Sequence, residues 1–215
     1  MQIFMNKAII FDMDGVLIDS ESLWGQAEKE VFTSLGVIVS DANRALTQSM
    51  TTSEVTRFWY EKYPWDNTDL DSVEQMVVMR VIALIQTQDC QILGVKKFIE
   101  NLKSKNYKIG LATNSPEKII PVVLHKLDVL HLFDSVSSAE NEIKGKPDPA
   151  IYLNTAEKLA VKPENCIVIE DSYSGMLAAK NAGMKVVAFT NGNYEIDFDI
   201  ADYKIDNFFD NNIIF

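Results

Sequence analysis

The apolar run KAIIF at residues 7–11 stops abruptly at Asp12, Met13, Asp14 and Gly15. A short continuous apolar run ended by loop-forming residues predicts a strand buried on both faces. From residue 20 to about 88 the spacing becomes helical. Leu23, Ala27, Val31 and Leu35 recur at every fourth position before Gly36, and Val73, Met76, Val77, Arg80, Val81, Leu84 and Ile85 outline another helix with a broad apolar face. After Leu93 and Gly94 the signals alternate. Residues 95–105, 116–126, 149–159 and 174–182 read as helices; 107–112, 135–138, 166–169 and 185–189 read as strands, with 201–205 a last edge strand. Strands alternating with helices predict parallel βαβ units in a doubly wound α/β sheet. The core then comprises 1–19 and 89–215, interrupted after its first strand by an all-helical insertion, 20–88.

Composition narrows the functional classes. The 215 residues are 47% hydrophobic and 24% charged, as in ordinary globular chains. A net charge of -11, from 31 acidic against 20 basic residues, excludes a nucleic-acid partner, which needs basic surface to displace counterions. The same charge repels a phosphorylated metabolite, so a phosphate site must supply its own local cation. Cys90 and Cys166 lack CxxC spacing and read as reduced thiols. No segment has the roughly 18 apolar residues of a membrane span, and the first residues lack signal-peptide form. The expectation is a cytoplasmic monomer without membrane contact.

Four polar clusters fall at predicted strand ends: Asp12-Met13-Asp14-Gly15, Thr113-Asn114-Ser115, the stretch from Gly145 to Pro149 containing Lys146, and Glu170-Asp171-Ser172. In a doubly wound sheet ligands bind outside those ends. Asp12, Asp14, Glu170 and Asp171 would crowd one volume with carboxylates, which is unfavourable without a cation. An all-oxygen set with few committed carboxylates suits Mg²⁺, which keeps waters and bridges to a phosphate. Lys146 adds a point charge for phosphate oxygens and Thr113 a hydroxyl donor. The set fits phosphoryl transfer, with one Asp as nucleophile and the other as acid and base. A calcium loop fails, because Gly15 is fourth rather than sixth and Leu23 occupies the twelfth place. No GxG occurs and the Gly145-Lys146 pair precedes Pro, which excludes dinucleotide and P-loop motifs.

The stretches FDMDGVLIDSE, LATNSP, KGKPDP and IVIEDSYSG resemble, in order, the four motifs of the haloacid-dehalogenase-like hydrolases. The resemblance covers essentially the whole chain and implies a Rossmann-like core with a helical cap. Within the family the chain is similar to the group of β-phosphoglucomutase and the small sugar-phosphate phosphatases, especially the bacterial hexitol and 2-deoxyglucose-6-phosphate phosphatases. It implies Asp12 as nucleophile and Asp14 as general acid/base. Mg²⁺ would sit on the Asp12 carboxylate, the Asp14 carbonyl and the Asp171 carboxylate, with Glu170 behind them. Thr113, Asn114 and Lys146 would hold the phosphoryl group of a small phosphorylated metabolite, a sugar or polyol phosphate. Asp14 argues against dehalogenation, since dehalogenases lack that second Asp. Trp24 stands where the mutase branch carries a His, and Trp cannot shuttle protons as His does. A phosphomutase and a non-catalytic binding protein are the alternatives.

Within the insertion the aromatic stretch from Phe58 to Trp65 reads as core ahead of a sugar-binding patch, and the run from Met76 to Met79 as core too. His125 and His131 read as structural or solvated. None of Arg44, Arg57 and Arg80 is singled out as reaching substrate.

Overall fold

The computed structural model describes residues 7–40, 42–43, 46–47, 50–193 and 198–209. Its strands are β1 (Ala8–Phe11), β2 (Lys108–Thr113), β3 (Ser135–Ser138), β4 (Cys166–Glu170), β5 (Lys185–Phe189) and β6 (Tyr203–Ile205). They form one sheet in the order β3-β2-β1-β4-β5-β6, every neighbouring pair parallel. The strand order reverses beside β1, so the crevice at its carboxyl end is the switch point where such sheets bind ligands.

Alternation along the strands explains why every residue of β1 is apolar. Ile9 and Phe11 face one side with Ile109, Leu111, Ile167 and Ile169, while Ala8 and Ile10 face the other with Ala112, Val168 and Val186. The first face is covered by α4 (Val95–Ser104) and α5 (Ile119–Lys126), the second by α6 (Ala150–Lys158) and α7 (Tyr173–Asn181). Helix α5 starts later than its sequence signal because Ile119 and Ile120 donate to Pro116 and Glu117, a tighter turn preceding the α-helix.

Between β1 and α4 come α1 (Glu21–Ser34), α2 (Thr52–Lys62) and α3 (Leu70–Thr87), with no named strand among the described residues. The chain leaves and re-enters the core side by side. Asp19 N donates to Cys90 O at 2.8 Å and Ile92 N to Leu17 O at 3.2 Å. The aromatic stretch is core in part: Trp59 and Trp65 are buried and both pack against Phe32, Phe58 and Tyr63 are half-buried, and Tyr60 is exposed. The methionine run corrects its expectation. Val77 and Val78 are buried, but Met76 and Met79 are 42% and 58% exposed, because α3 turns Val73, Val77, Val81 and Leu84 inward and these two outward. His125 and His131 are exposed, and Arg44 lies outside the described residues. No helix among the described residues is long and apolar enough to cross a membrane.

Candidate active site

Three neighbouring strands deliver the floor of the site. Asp12 follows β1 directly, its N–H donating to Ile169 O at 3.0 Å; Thr113 ends β2 and Glu170 ends β4. Lys146, on the loop between β3 and α6, reaches back beneath them. Its ammonium donates to Asp12 Oδ1 at 2.5 Å, Glu170 Oε1 at 2.7 Å and the Ala112 carbonyl at 2.9 Å. Those acceptors take all the donors an ammonium has. A buried charge is tolerable only when so paired. The lysine is 6% exposed, and its Nζ also lies 4.9 Å from the centroid of the Tyr152 ring. Its backbone is fixed as well: Lys146 N donates to Asn114 Oδ1 at 2.9 Å.

Glu170 is wholly buried and both its oxygens are engaged. Oε1 accepts from Lys146 and from the Tyr152 hydroxyl at 2.9 Å; Oε2 accepts from the backbone N–H groups of Asp171 and Ser172 and from the Ser172 hydroxyl. Burial raises this carboxyl, but Lys146 and these donors outweigh it and leave it below its ordinary value. Ser172 also caps α7 by accepting from Gly175 N, placing Glu170 at the positive end of that helix. A side chain at 175 would put its Cβ 1.7 Å from Glu170 Oε1, so only glycine fits.

Asp171 stands next to this floor. Carboxylate oxygens of Asp12, Glu170 and Asp171 lie within 4.8 Å of one another. Gly15 makes the approach possible: its φ is +77°, and a Cβ there would sit 1.8 Å from Asp171 Oδ2. Three carboxylates therefore crowd together, and the Lys146 ammonium pairs with two of them, Asp12 and Glu170. Burial pushes Asp12 up to about 8; Lys146 opposes the rise and Glu170 and Asp14 add to it. Asp171 is raised well above its ordinary value by burial, then by Glu170 and Asp12. Two carboxyls raised by burial and by neighbouring acids fit a divalent cation, and the all-oxygen donor set suits a hard one.

Asp14 points elsewhere, to neutral donors. Its Oδ1 accepts from the Ser20 hydroxyl at 2.5 Å and the Trp24 indole N–H at 2.9 Å; its Oδ2 accepts from the Ser115 hydroxyl at 2.6 Å and, more distantly, from Thr113 Oγ1 at 3.5 Å. The structure thus brings Asp12, Lys146, Glu170 and Asp171 into one cluster, and Thr113 and Asp14 onto its rim. Asn114 serves through its contact with the Lys146 backbone.

Sequence reasoning left out Ser20, Ser115 and Tyr152. Ser115 lay in a named strand-end cluster, which was signal enough. Ser20 precedes α1 and has the form of an N-cap, yet its hydroxyl makes no cap bond and is diverted to Asp14. Tyr152 sits on an apolar helix face, where nothing in the sequence separates it from core.

Asp12 and Asp14 thus stand in different surroundings, one in a buried cluster with Lys146, Glu170 and Asp171, the other among hydroxyls and an indole. The chain is 38% identical over 201 residues to hexitol phosphatase B of Escherichia coli (strain K12), covering 92% of this chain and 90% of that protein. It is 34% identical to a phosphorylated carbohydrates phosphatase of Thermotoga maritima, covering 83% and 82%. The crystal structure of β-phosphoglucomutase from Clostridium difficile superposes with a TM-score of 0.82 at 28% identity, covering 95% of this chain and 92% of that one. The model of the haloacid dehalogenase-like hydrolases matches residues 6–183, and the chain belongs to that family.

Proposed function

We propose that the protein is a Mg²⁺-dependent phosphatase that hydrolyses a small sugar or polyol phosphate through an aspartyl phosphate on Asp12. The observation that carries this reading is the division of labour at the floor. Asp12 clusters with Glu170 and Asp171 and pairs with the Lys146 ammonium, while Asp14, two residues on, is held apart by hydroxyls and an indole. The Asp12 and Asp171 carboxylates and the Asp14 carbonyl would hold the ion, with Glu170 steering Lys146 and Asp171. When bound, the cation supplies the positive charge that keeps Asp12 ionised and offsets charge on the phosphoryl oxygens.

In the first step an Asp12 oxygen attacks phosphorus, the bond to the leaving oxygen breaks, and Asp14 gives that oxygen its proton. In the second step Asp14 takes a proton from water as the water oxygen attacks phosphorus. Inorganic phosphate leaves and Asp12 returns to carboxylate. Lys146, Thr113 and Asn114 border the phosphoryl group, and the helical insertion acts as a cap that excludes bulk water. The name of the Escherichia coli relative, hexitol phosphatase B, supports a polyol phosphate among the candidates.

The test is phosphate release from a panel of sugar, polyol and nucleotide phosphates, with and without Mg²⁺, for the native chain and Asp12→Asn. Release that needs Mg²⁺ and vanishes in the variant is the expected result. Little free phosphate, with transfer between sugar positions on adding a bisphosphate activator, would replace this reading by a phosphomutase. No turnover in either assay would leave only a binding protein.

A further inference from the structure

Among the described residues, Asp14 has donors from two different parts of the molecule. On Oδ2 they come from the loop after β2, Ser115 with Thr113 beyond it; on Oδ1 they come from the start of the helical insertion, Ser20 and Trp24. Ser20 and Trp24 are one helical turn apart, Trp24 N donating to Ser20 O at 3.0 Å, so both side chains lie on one face of the first turn of α1. The hydroxyl of Ser20 could cap the helix but does not. It donates to Asp14 instead, so the first turn of α1 presents its polar side chains to the carboxylate. Trp24 is half-buried and packs on the apolar cluster shared by core and insertion, which fixes its ring and hence the direction of its N–H.

We infer that Trp24 is a positioning residue for Asp14: its indole N–H orients the carboxyl and ties that orientation to the seating of α1. This rests on the reading of Asp14 as acid and base. The indole is a donor only, so it exchanges no proton with Asp14 and acts through geometry. A hydrogen bond to a charged group contributes about 1.5–3 kcal/mol, so its loss changes a step that depends on Asp14 by roughly tenfold to a hundredfold.

Two measurements test this with Trp24→Phe, which keeps a ring and removes the donor. The first compares leaving groups. An alkoxide needs a proton as it departs, whereas p-nitrophenolate leaves without one. The value of kcat/KM, which reports only the steps up to departure of the leaving group and so leaves out the later attack of water, should fall roughly tenfold or more for the best sugar or polyol phosphate and much less for p-nitrophenyl phosphate. Equal losses on both substrates, or none on either, would overturn the inference.

The second needs no turnover. The chain has three tryptophans, Trp24, Trp59 and Trp65, so its indole N–H signals in a ¹⁵N spectrum are assignable by substitution. In Asp14→Ala the Trp24 signal should move upfield while the Trp65 signal, whose N–H donates to Thr68 O, stays in place. An unmoved Trp24 signal would overturn the inference even in an active phosphatase. A moved signal in a chain that hydrolyses nothing would instead remove the phosphatase reading and leave the contact standing.

Discussion

The floor of the site and the seam between core and insertion are built on opposite principles. On the floor the lysine and glutamate are 6% and 0% exposed, and each charge has partners in several directions. At the rim of the seam the side-chain contacts are single and exposed. Lys118, on the core, donates to Gln75 of α3, and Lys126 to the Gln88 carbonyl, both at the surface. The seam even holds a like-charge approach: half-buried Glu74 has its carboxyl raised by burial and then by Glu140 across the gap and Asp71 beside it. Buried electrostatics over-determines one arrangement, while solvated hydrogen bonds are each worth little.

The sharpest break would come at Lys146. Lys146→Met keeps much of the volume but leaves two carboxylates and the Ala112 carbonyl without their shared donor. The expected cost is about 3–5 kcal/mol in urea unfolding, with turnover lost. Adding Glu170→Gln removes one of the stranded charges, so the double variant should recover part of the loss, with a coupling of about 1–3 kcal/mol. Strictly additive losses would mean that the floor is not one electrostatic unit.

A glycine pair sharpens the contrast with backbone held equal. Gly15 and Gly36 have φ of +77° and +85°, but a Cβ at 15 strikes the Asp171 carboxylate while one at 36 meets nothing within 4 Å. Both Gly→Ala changes carry the left-handed strain of about 1–2 kcal/mol. Only Gly15→Ala should also displace Asp171, seen as lost turnover and a higher Mg²⁺ requirement. Gly36→Ala should melt a few degrees lower with kcat preserved. Equal effects on kcat would deny Asp171 a place in the site.

The proton balance of the floor gives a smaller, signed effect. Asp12 is raised from 3.8 to about 8, chiefly by burial. Without a cation the folded chain keeps a proton that the unfolded chain has released, so this group makes stability fall as pH rises through that window. A divalent cation favours the ionised form, so the stabilisation by Mg²⁺ should grow with pH over the same window. Thermal melts in EDTA and in Mg²⁺ measure it, at about 2–4 °C per kcal/mol for a chain of this size. A Mg²⁺ effect independent of pH would show that the ion does not bind at these carboxylates.

How much of this could be read from the sequence divides along the same line. The parallel sheet, its helices and the strand-end clusters were legible because period and punctuation are local: KAIIF before Asp12, Gly145 beside Lys146 before Pro147, Gly175 three residues after Ser172. What was not legible depends on direction. The spacing of Val77 and Met76 is equally helical, yet only packing against α1 decided that the valine is core and the methionine exposed. Ser20 has the form of a cap and becomes a partner of Asp14 because the return of the chain beside Cys90 places it there. Tyr152 reads as an ordinary core residue until the fold sets its hydroxyl 2.9 Å from Glu170.

The mildest test bears on the seam. Lys118 belongs to the turn that follows the Thr113–Ser115 loop, close in sequence to the site, and its ammonium meets a neutral amide oxygen, Gln75 Oε1, at 2.5 Å. Water competes for both groups at that surface. Lys118→Met should therefore leave urea stability within about 0.5 kcal/mol and alter kcat/KM by no more than about threefold, the scale of a single solvated contact. Because the lysine is near the phosphoryl site in sequence, a charge reaching substrate would behave differently: KM would rise many-fold, more at low ionic strength than at high, since exposed charges are screened by salt. That outcome would move Lys118 from the seam to the floor's side of the comparison. A small, salt-independent change would instead show that the two regions differ in kind, with the charge that handles phosphate confined to the buried cluster around Lys146.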